Sequence, residues 1–466
     1  MDVSKIEPHH LMANSNQATV EHMLDVVGAS DVEELFEQIP AEHRLAGGLE
    51  LPPALVSEAD LSRHMDDLLS RDVKPKASFL GGGCWPHYVP AVVDEIVGRA
   101  EFLNNIWGTP SSDLGRTQSL FEFCSQLGEL LELDFVGLPV YSWGCAAGHA
   151  MLMAQRINGR SEVLVAASLD PERRAVIETY AGLPELEHHI ELVEVATDWE
   201  TGCLDLEDFR SKLSDRTAAI YLENPSFLGT FEASGPEAAR LAKEAGAEVI
   251  VGVDPIALGV TASPSAWGAD IVVGTIQSLG VHMNCGGGAS GFIASRDEER
   301  YARQYPTLCL SAAHTAEGDI GFSMTLFEQT SYGSRELGND WTGNSTYLWA
   351  IAASVYMALL GPRGFEEIGR TILGRSHQAA ETVARIPGVE VRFGDAFFKE
   401  FVADFNGTGK TVAEINASLR EQGIFGGLDL SGRFPELGQS ALICVTEVHQ
   451  DEDIALLGEA LTEAVR

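Results

Sequence analysis

Three polar residues stand at matching places along the chain and could act together on one small molecule. Asn224 follows the apolar run 218–222, Asp254 follows 249–253, and Gln277 lies just beyond 270–273. If these runs are parallel strands of an α/β sheet, their carboxyl ends are where ligands collect, and the three side chains fall there. An aspartate in that place can hold a protonated ring nitrogen, and a lysine one strand further on can capture an aldehyde as a Schiff base. The aspartate is present and that lysine is not. The lysines are Lys5, Lys74, Lys76, Lys212, Lys243, Lys399 and Lys410, with none between residues 244 and 398. The central cleft is therefore expected to lack a nucleophilic amine, so that covalent capture of a coenzyme falls to another polypeptide.

The elements that must position these residues alternate in type. Ser161–Ala166 reads as a buried strand and Glu172–Tyr180 as a helix; Ala218–Leu222 is the next strand and Glu237–Ala245 its return helix; Glu248–Val253 and Asp270–Val273 are further strands. Short apolar runs between amphipathic helices imply a mainly parallel sheet covered on both faces. Pyridoxal-phosphate enzymes of the aminotransferase-like fold (fold type I) use this α/β layout. The expected large domain spans 76–360, and Gly361-Pro362-Arg363-Gly364 marks a boundary. A small α+β C-terminal domain, 361–466, follows, with helices at Phe365–Arg385 and Val412–Gln422. Its strands are expected near Val389–Phe393, Glu400–Phe405 and Ala441–Thr446, with a last helix from Asp451.

The first 75 residues are acidic and helical in pattern. One helix covers Thr19–Val27 and ends at Gly28. Ser30-Asp31-Val32-Glu33 fits a capping box opening a second, Glu34–Gln38, and a third covers Glu58–Leu69. They form either an arm laid across another surface or a helical cap on the main domain.

Composition removes several classes of function. The formal net charge of −38 repels phosphate backbones and argues against nucleic-acid binding. The same acidity would suit a salty cytoplasm. The seven cysteines are dispersed without a CxxC pair, as reduced thiols in a cytoplasmic protein are. The opening residues carry no cationic-then-apolar signal, and the apolar stretch 347–360 is too short to span a membrane, reading instead as a buried helix. Cys285 near His282 and Asn284 has no second ligand cluster beside it, so no metal site is expected.

Several segments together resemble one family. They are Met23–Gly28 with Glu33–Phe36 and Ile39-Pro40, Phe79–Gly83, His87–Val93, Asn224–Gly229, Asp254–Gly259, Gly268–Gly274, Gln277–Gly280, Phe397–Phe401, Gly426–Leu428 and Cys444–Glu447. Over nearly its whole length the chain is similar to glycine dehydrogenase (decarboxylating) subunit 1, the alpha chain of the two-chain P-protein of the glycine cleavage system. The resemblance implies pyridoxal 5'-phosphate held covalently by a lysine-bearing beta-type subunit, with Gln277 at the Schiff-base lysine's position in this chain. It further implies decarboxylation of a small amino acid and transfer of the aminomethyl group to a lipoyl carrier protein. The chain departs from the family at Trp107–Asp113, Pro139–Ala147 and Phe327–Asn339, where substrate-facing residues are expected, leaving glycine or a related amino acid as substrate.

On that basis Asp254, Asn224 and His282 would line a degenerate cofactor cleft, while His87, Tyr88, Trp107, Thr109 and Glu328 would reach the partner's site. Blander alternatives stand beside these. His87 and Tyr88 equally suit a packed helix-entry pair, Trp85 and Trp107 suit core, Gly81–Gly83 suits a tight turn, and Glu328 suits a solvated helix face. Three functions compete: an enzyme subunit inactive alone, a non-catalytic scaffold of the same complex, and a stand-alone enzyme rebuilt around His87, His282 and Asp254.

Overall fold

The computed structural model describes residues 11–45, 49–103, 110–185, 188–283, 290–330, 333, 338–339 and 346–466. It divides into two compact units, Met1–Val73 and Lys74–Arg466.

In the first unit, helix Gln17–Val27 is capped by the Asn16 side chain, which accepts the Thr19 N–H, and ends at Gly28 in the left-handed region. The expected second helix shrinks to one 3₁₀ turn, Glu34–Phe36. Glu34, rather than Glu33, reaches back to the backbone and hydroxyl of Ser30 (2.6 and 2.8 Å), which closes a loop and does not start a capped helix. Helix Glu58–Leu69 carries Leu61, Met65, Leu68 and Leu69 exposed along one side. Leu24 is the one buried residue among those described in this unit.

The second unit is built on a seven-stranded sheet: β1 (Phe135–Val136), β2 (Glu162–Ala166), β3 (Glu191–Val195), β4 (Thr217–Asn224), β5 (Glu248–Val253), β6 (Ile271–Thr275) and β7 (Gly291–Ser295). Their spatial order is β1-β7-β6-β5-β4-β2-β3. Only β7 runs against the rest, pairing antiparallel with both β1 and β6. Strands β5 and β6 are buried at every residue, which accounts for runs without polar alternation. Helices Trp143–Asn158, Pro171–Ala181 and Gly235–Glu244 connect and cover the sheet.

A four-stranded antiparallel sheet follows: β8 (Glu390–Val391), β9 (Glu400–Asp404), β10 (Leu428–Asp429) and β11 (Ser440–Cys444), in the order β8-β9-β11-β10. Helices Val412–Glu421 and Asp451–Ala464 pack on it around Phe401, Ile415, Leu419 and Leu457. The two sheets are joined by helix Tyr347–Ala384, which is bent at Gly361 (φ 57°) just before Pro362. By length and composition this helix could cross a membrane, yet Ala350, Ile351, Ala353, Tyr356 and Met357 are buried in the core around the large sheet.

One further connection sets up the site. Ala77–Ser78 pairs in parallel with Ile424–Phe425, and Phe79 exchanges backbone hydrogen bonds with Phe425 and Cys444. The segment from Gly81 to Pro90 is thereby led off the smaller sheet and across the carboxyl ends of β5 and β6. A hairpin, Cys309–His314 with Ile320–Thr325, was not expected from the sequence.

Candidate functional site

Asp254 lies at the carboxyl end of β5 and is 2% exposed. One carboxylate oxygen, Oδ1, accepts the Ser278 hydroxyl and the Ile256 N–H, both at 3.2 Å. The other, Oδ2, faces the ammonium of Lys399 at 2.7 Å. Lys399 comes from the residue just before β9 and is 3% exposed, so both charges are out of water. An isolated buried charge is very costly, and pairing is what permits either to be there. The Lys399 nitrogen also sits 3.5 Å from the ring centroid of Trp85, a cation–π contact. The expectation of an amine-free cleft is thus corrected: the amine arrives from the smaller sheet, 145 positions along from Asp254, and not from the loop after β6.

The Lys399 ammonium makes its directed hydrogen bond to His87 Nε2, at 2.9 Å. An ammonium has donors only, so Nε2 must accept and the ring proton resides on Nδ1. That proton is donated to Glu447 Oε2 at 2.8 Å. Burial, and then the neighbouring Lys399 charge, push the His87 imidazole below its ordinary value, in agreement with a neutral ring. Burial works against the Glu447 carboxylate, but the His87 ring and the Tyr88 N–H outweigh it and hold its pKa below the usual carboxylate range. Glu447 Oε1 accepts that Tyr88 N–H at 2.8 Å, so a single carboxylate grips two consecutive residues.

Gln277, just past β6, is also buried, and its amide clamps the same segment. Oε1 accepts the Trp85 N–H (3.1 Å), while Nε2 donates to the carbonyls of Trp85 (3.1 Å) and Val281 (3.3 Å). Glutamine is suited to this because it both donates and accepts, which a lysine cannot do. Gly82 N–H donates to Glu400 Oε1 at 2.6 Å. A Cβ at Gly81 would collide with the Glu400 carboxylate and come within 2.7 Å of Cys444 Cβ, so glycine is required there. The glycine run does present an amide to a carboxylate, and the carboxylate is the chain's own.

Beside this lies a second buried group. Arg173 grips Glu223, at the end of β4, through two contacts of 2.5 and 2.6 Å, and its guanidinium lies 3.9 Å from the Trp143 ring centroid. Tyr221 donates to Glu223 (2.7 Å) and accepts from the Trp143 indole (3.0 Å). Burial raises the Glu223 carboxyl, against the opposing pull of Arg173 and Tyr221. Between the two groups remains a cavity of about 20 Å³, lined by Trp85, Trp143, Arg173, Asp254, Lys399 and Glu400 among others. That is room for about one water molecule.

The other residues singled out from sequence lie elsewhere. Asn224 accepts the Glu232 N–H at 3.1 Å, holding the loop after β4. His282 is at the surface, its Nε2 2.9 Å from Asp94 Oδ1. His87 is turned inward with its side chain 1% exposed, whereas Tyr88 is 64% exposed and Glu328 is exposed. Trp107, Thr109, Asn284 and Cys285 lie outside the described residues. Lys399, Glu447, Arg173 and Glu223 were not singled out. For Lys399 a signal existed: Phe397-Phe398-Lys399-Glu400-Phe401 places two charges inside an apolar run, and buried charges need partners.

These residues do not fit pyridoxal phosphate. The cleft-facing oxygen of Asp254, which would meet the ring nitrogen, already meets an ammonium. Gln277 has no amine and its amide is fully engaged. The remaining cavity is far smaller than a pyridine ring with its phosphate.

Comparison with known proteins agrees with this architecture. The family model "Glycine cleavage system P-protein" matches residues 9–461. A relative from Staphylothermus marinus, named "Probable glycine dehydrogenase (decarboxylating) subunit 1", is 33% identical, covering 99% of both chains. A relative of the same name from Desulforamulus reducens is 36% identical, covering 94% of this chain and 96% of its own. A crystal structure of glycine decarboxylase (P-protein) in inhibitor-bound form superposes with a TM-score of 0.84 at 31% identity, over 98% of this chain and 99% of that one. Glutamate decarboxylase of Lactobacillus brevis shares the fold alone, with a TM-score of 0.69 at 12% identity over 91% and 96%.

Proposed function

The chain belongs to the glycine cleavage system P-protein family, as a subunit 1 of a two-chain enzyme, and on that footing we propose that it completes a coenzyme site on its partner and holds no coenzyme itself. In this reading a lysine-bearing beta-type subunit binds pyridoxal phosphate covalently. The pair decarboxylates glycine or a related small amino acid and passes the aminomethyl group to a lipoyl carrier protein, and this chain alone is inactive. The observation that carries the proposal is the ion pair of Lys399 with Asp254, which closes the chain's own cleft at the point where a ring nitrogen would bind.

Two further features favour a partner-dependent role. The exposed stripe Leu61, Met65, Leu68 and Leu69 belongs to a unit with almost no core of its own among its described residues, a pattern suited to covering another chain. Tyr88 is exposed on a segment held firmly from beneath, so it is a candidate to reach the partner. We also propose 361–466 as a separate small domain, supported by the bend at Gly361. The test is to express this chain and a lysine-bearing chain separately and together, reading visible coenzyme absorbance. The proposal expects absorbance from the partner and the complex; absorbance from this chain by itself would refute it. The closed cleft also suits a pure scaffold, and substitution of Tyr88 by Ala separates the two. Turnover should fall in an intact complex if the chain shapes the site, and stay unchanged if it only assembles it.

A further inference from the structure

We infer that Lys399 is a built-in surrogate for the coenzyme's protonated ring, and that the closed cleft has become a rigid mount for the segment Gly81–Tyr88. The inference rests on the proposal that the partner holds the coenzyme, and it assigns what the closed cleft does instead. A protonated pyridine ring would offer Asp254 a positive N–H and offer neighbouring aromatics a flat face. Lys399 supplies the charge of the first without its directed hydrogen bond: a cation 2.7 Å from Asp254 Oδ2. Trp85 supplies the second, its indole lying against that cation.

From this centre the contacts run outward along one segment. The Trp85 backbone is held by Gln277, the His87 ring by Lys399 and Glu447, the Tyr88 N–H by Glu447, and the Gly82 N–H by Glu400, the neighbour of Lys399. The Thr446 hydroxyl adds a bond to the Pro86 carbonyl at 2.5 Å. Gln277, Lys399, Glu400, Thr446 and Glu447 therefore all grip one stretch of chain, and that stretch ends at an exposed tyrosine. Lys399 and Glu447 are positioning residues here: they touch neither substrate nor coenzyme and act through the segment they hold.

The experiment uses the full chain in complex with its lysine-bearing partner. Lys399→Ala removes a propylammonium group, so n-propylammonium is the probe and n-propanol its uncharged control. Hydrogen exchange is read at the amides of Gly82, Trp85, His87 and Tyr88. These should exchange about ten-fold faster or more in the variant, and n-propylammonium should restore protection while n-propanol does not. Unchanged exchange in a folded K399A, or equal rescue by n-propanol, would overturn the inference. If K399A does not fold, the doubly neutral variant Asp254→Asn with Lys399→Met serves, and is expected to fold with the same loss of protection. Native protection in that variant would overturn the inference as well. Finding no coenzyme on the partner would defeat the shared-site proposal without altering exchange on this chain, so the two failures can be told apart.

Discussion

Replacing Lys399 with Met keeps most of its volume and removes its charge. Two unit charges 2.7 Å apart attract by about 6 kcal/mol at an effective dielectric constant of about 20, and desolvation of both partners offsets much of that. The variant leaves Asp254 buried, with hydrogen bonds to one oxygen and no counter-charge at the other. Leaving one member of such a pair unpaired costs about 3–5 kcal/mol. Asp254→Asn removes the other charge, and the double substitution removes both, so it should cost much less than the sum of the singles. The assay is a double-mutant cycle by urea unfolding, followed through the intrinsic tryptophan fluorescence of the chain. The expected coupling is about 2–4 kcal/mol in favour of the pair. Costs that add to within about 0.5 kcal/mol would refute the argument, because independent sites behave that way.

Four other variants address separate parts of the account. The folded His87 imidazole titrates below its ordinary value of about 6.5, so above that pH both folded and unfolded chains carry it neutral and its native contacts are intact. As pH falls below about 6.5 the unfolded chain takes up the proton first, and stability should drop by up to about 1.4 kcal/mol per pH unit. His87→Gln should flatten that acid limb below about pH 6.5 in pH-dependent unfolding; an unaltered limb would mean His87 is not its source. Gln277→Leu leaves the Trp85 amide and two carbonyls without their buried partner and should cost about 3 kcal/mol in denaturant unfolding, while Gln277→Lys with added pyridoxal phosphate should gain no visible absorbance. Leu61→Asp with Met65→Asp should weaken association with the partner by about ten-fold or more in sedimentation or titration, with the fold of 74–466 unchanged by circular dichroism.

Strands β2, β4, β5 and β6 were legible in the sequence because buried parallel strands are short apolar runs, and their boundaries shifted by only a residue or two. Asp254 was legible for the same reason, since the end of a buried run fixes where its next polar residue must stand. Antiparallel β7 and the hairpin 309–325 were not: the hairpin is half-exposed to exposed at nearly every residue, and Gly291–Ser295 has only Phe292 and Ile293 as large apolar side chains among Gly, Ala and Ser, too few to read as an apolar run. The partner of Asp254 was hidden by distance along the chain. A charge on the smaller sheet is brought into the larger sheet's cleft by tertiary packing alone, and no local periodicity records it. For His87 the sequence left a partner-facing and a packed placement equally open; its inward turn is decided by Lys399 and Glu447, both more than 300 positions away in sequence.

The claim on which the rest depends is that the coenzyme bonds to the other chain. Reducing the co-purified complex with borohydride fixes any Schiff base, and peptide mass mapping then locates the phosphopyridoxyl group. The account predicts one such group per pair of chains, on a lysine of the partner, with Lys399 unmodified. A phosphopyridoxyl group on Lys399 would contradict it.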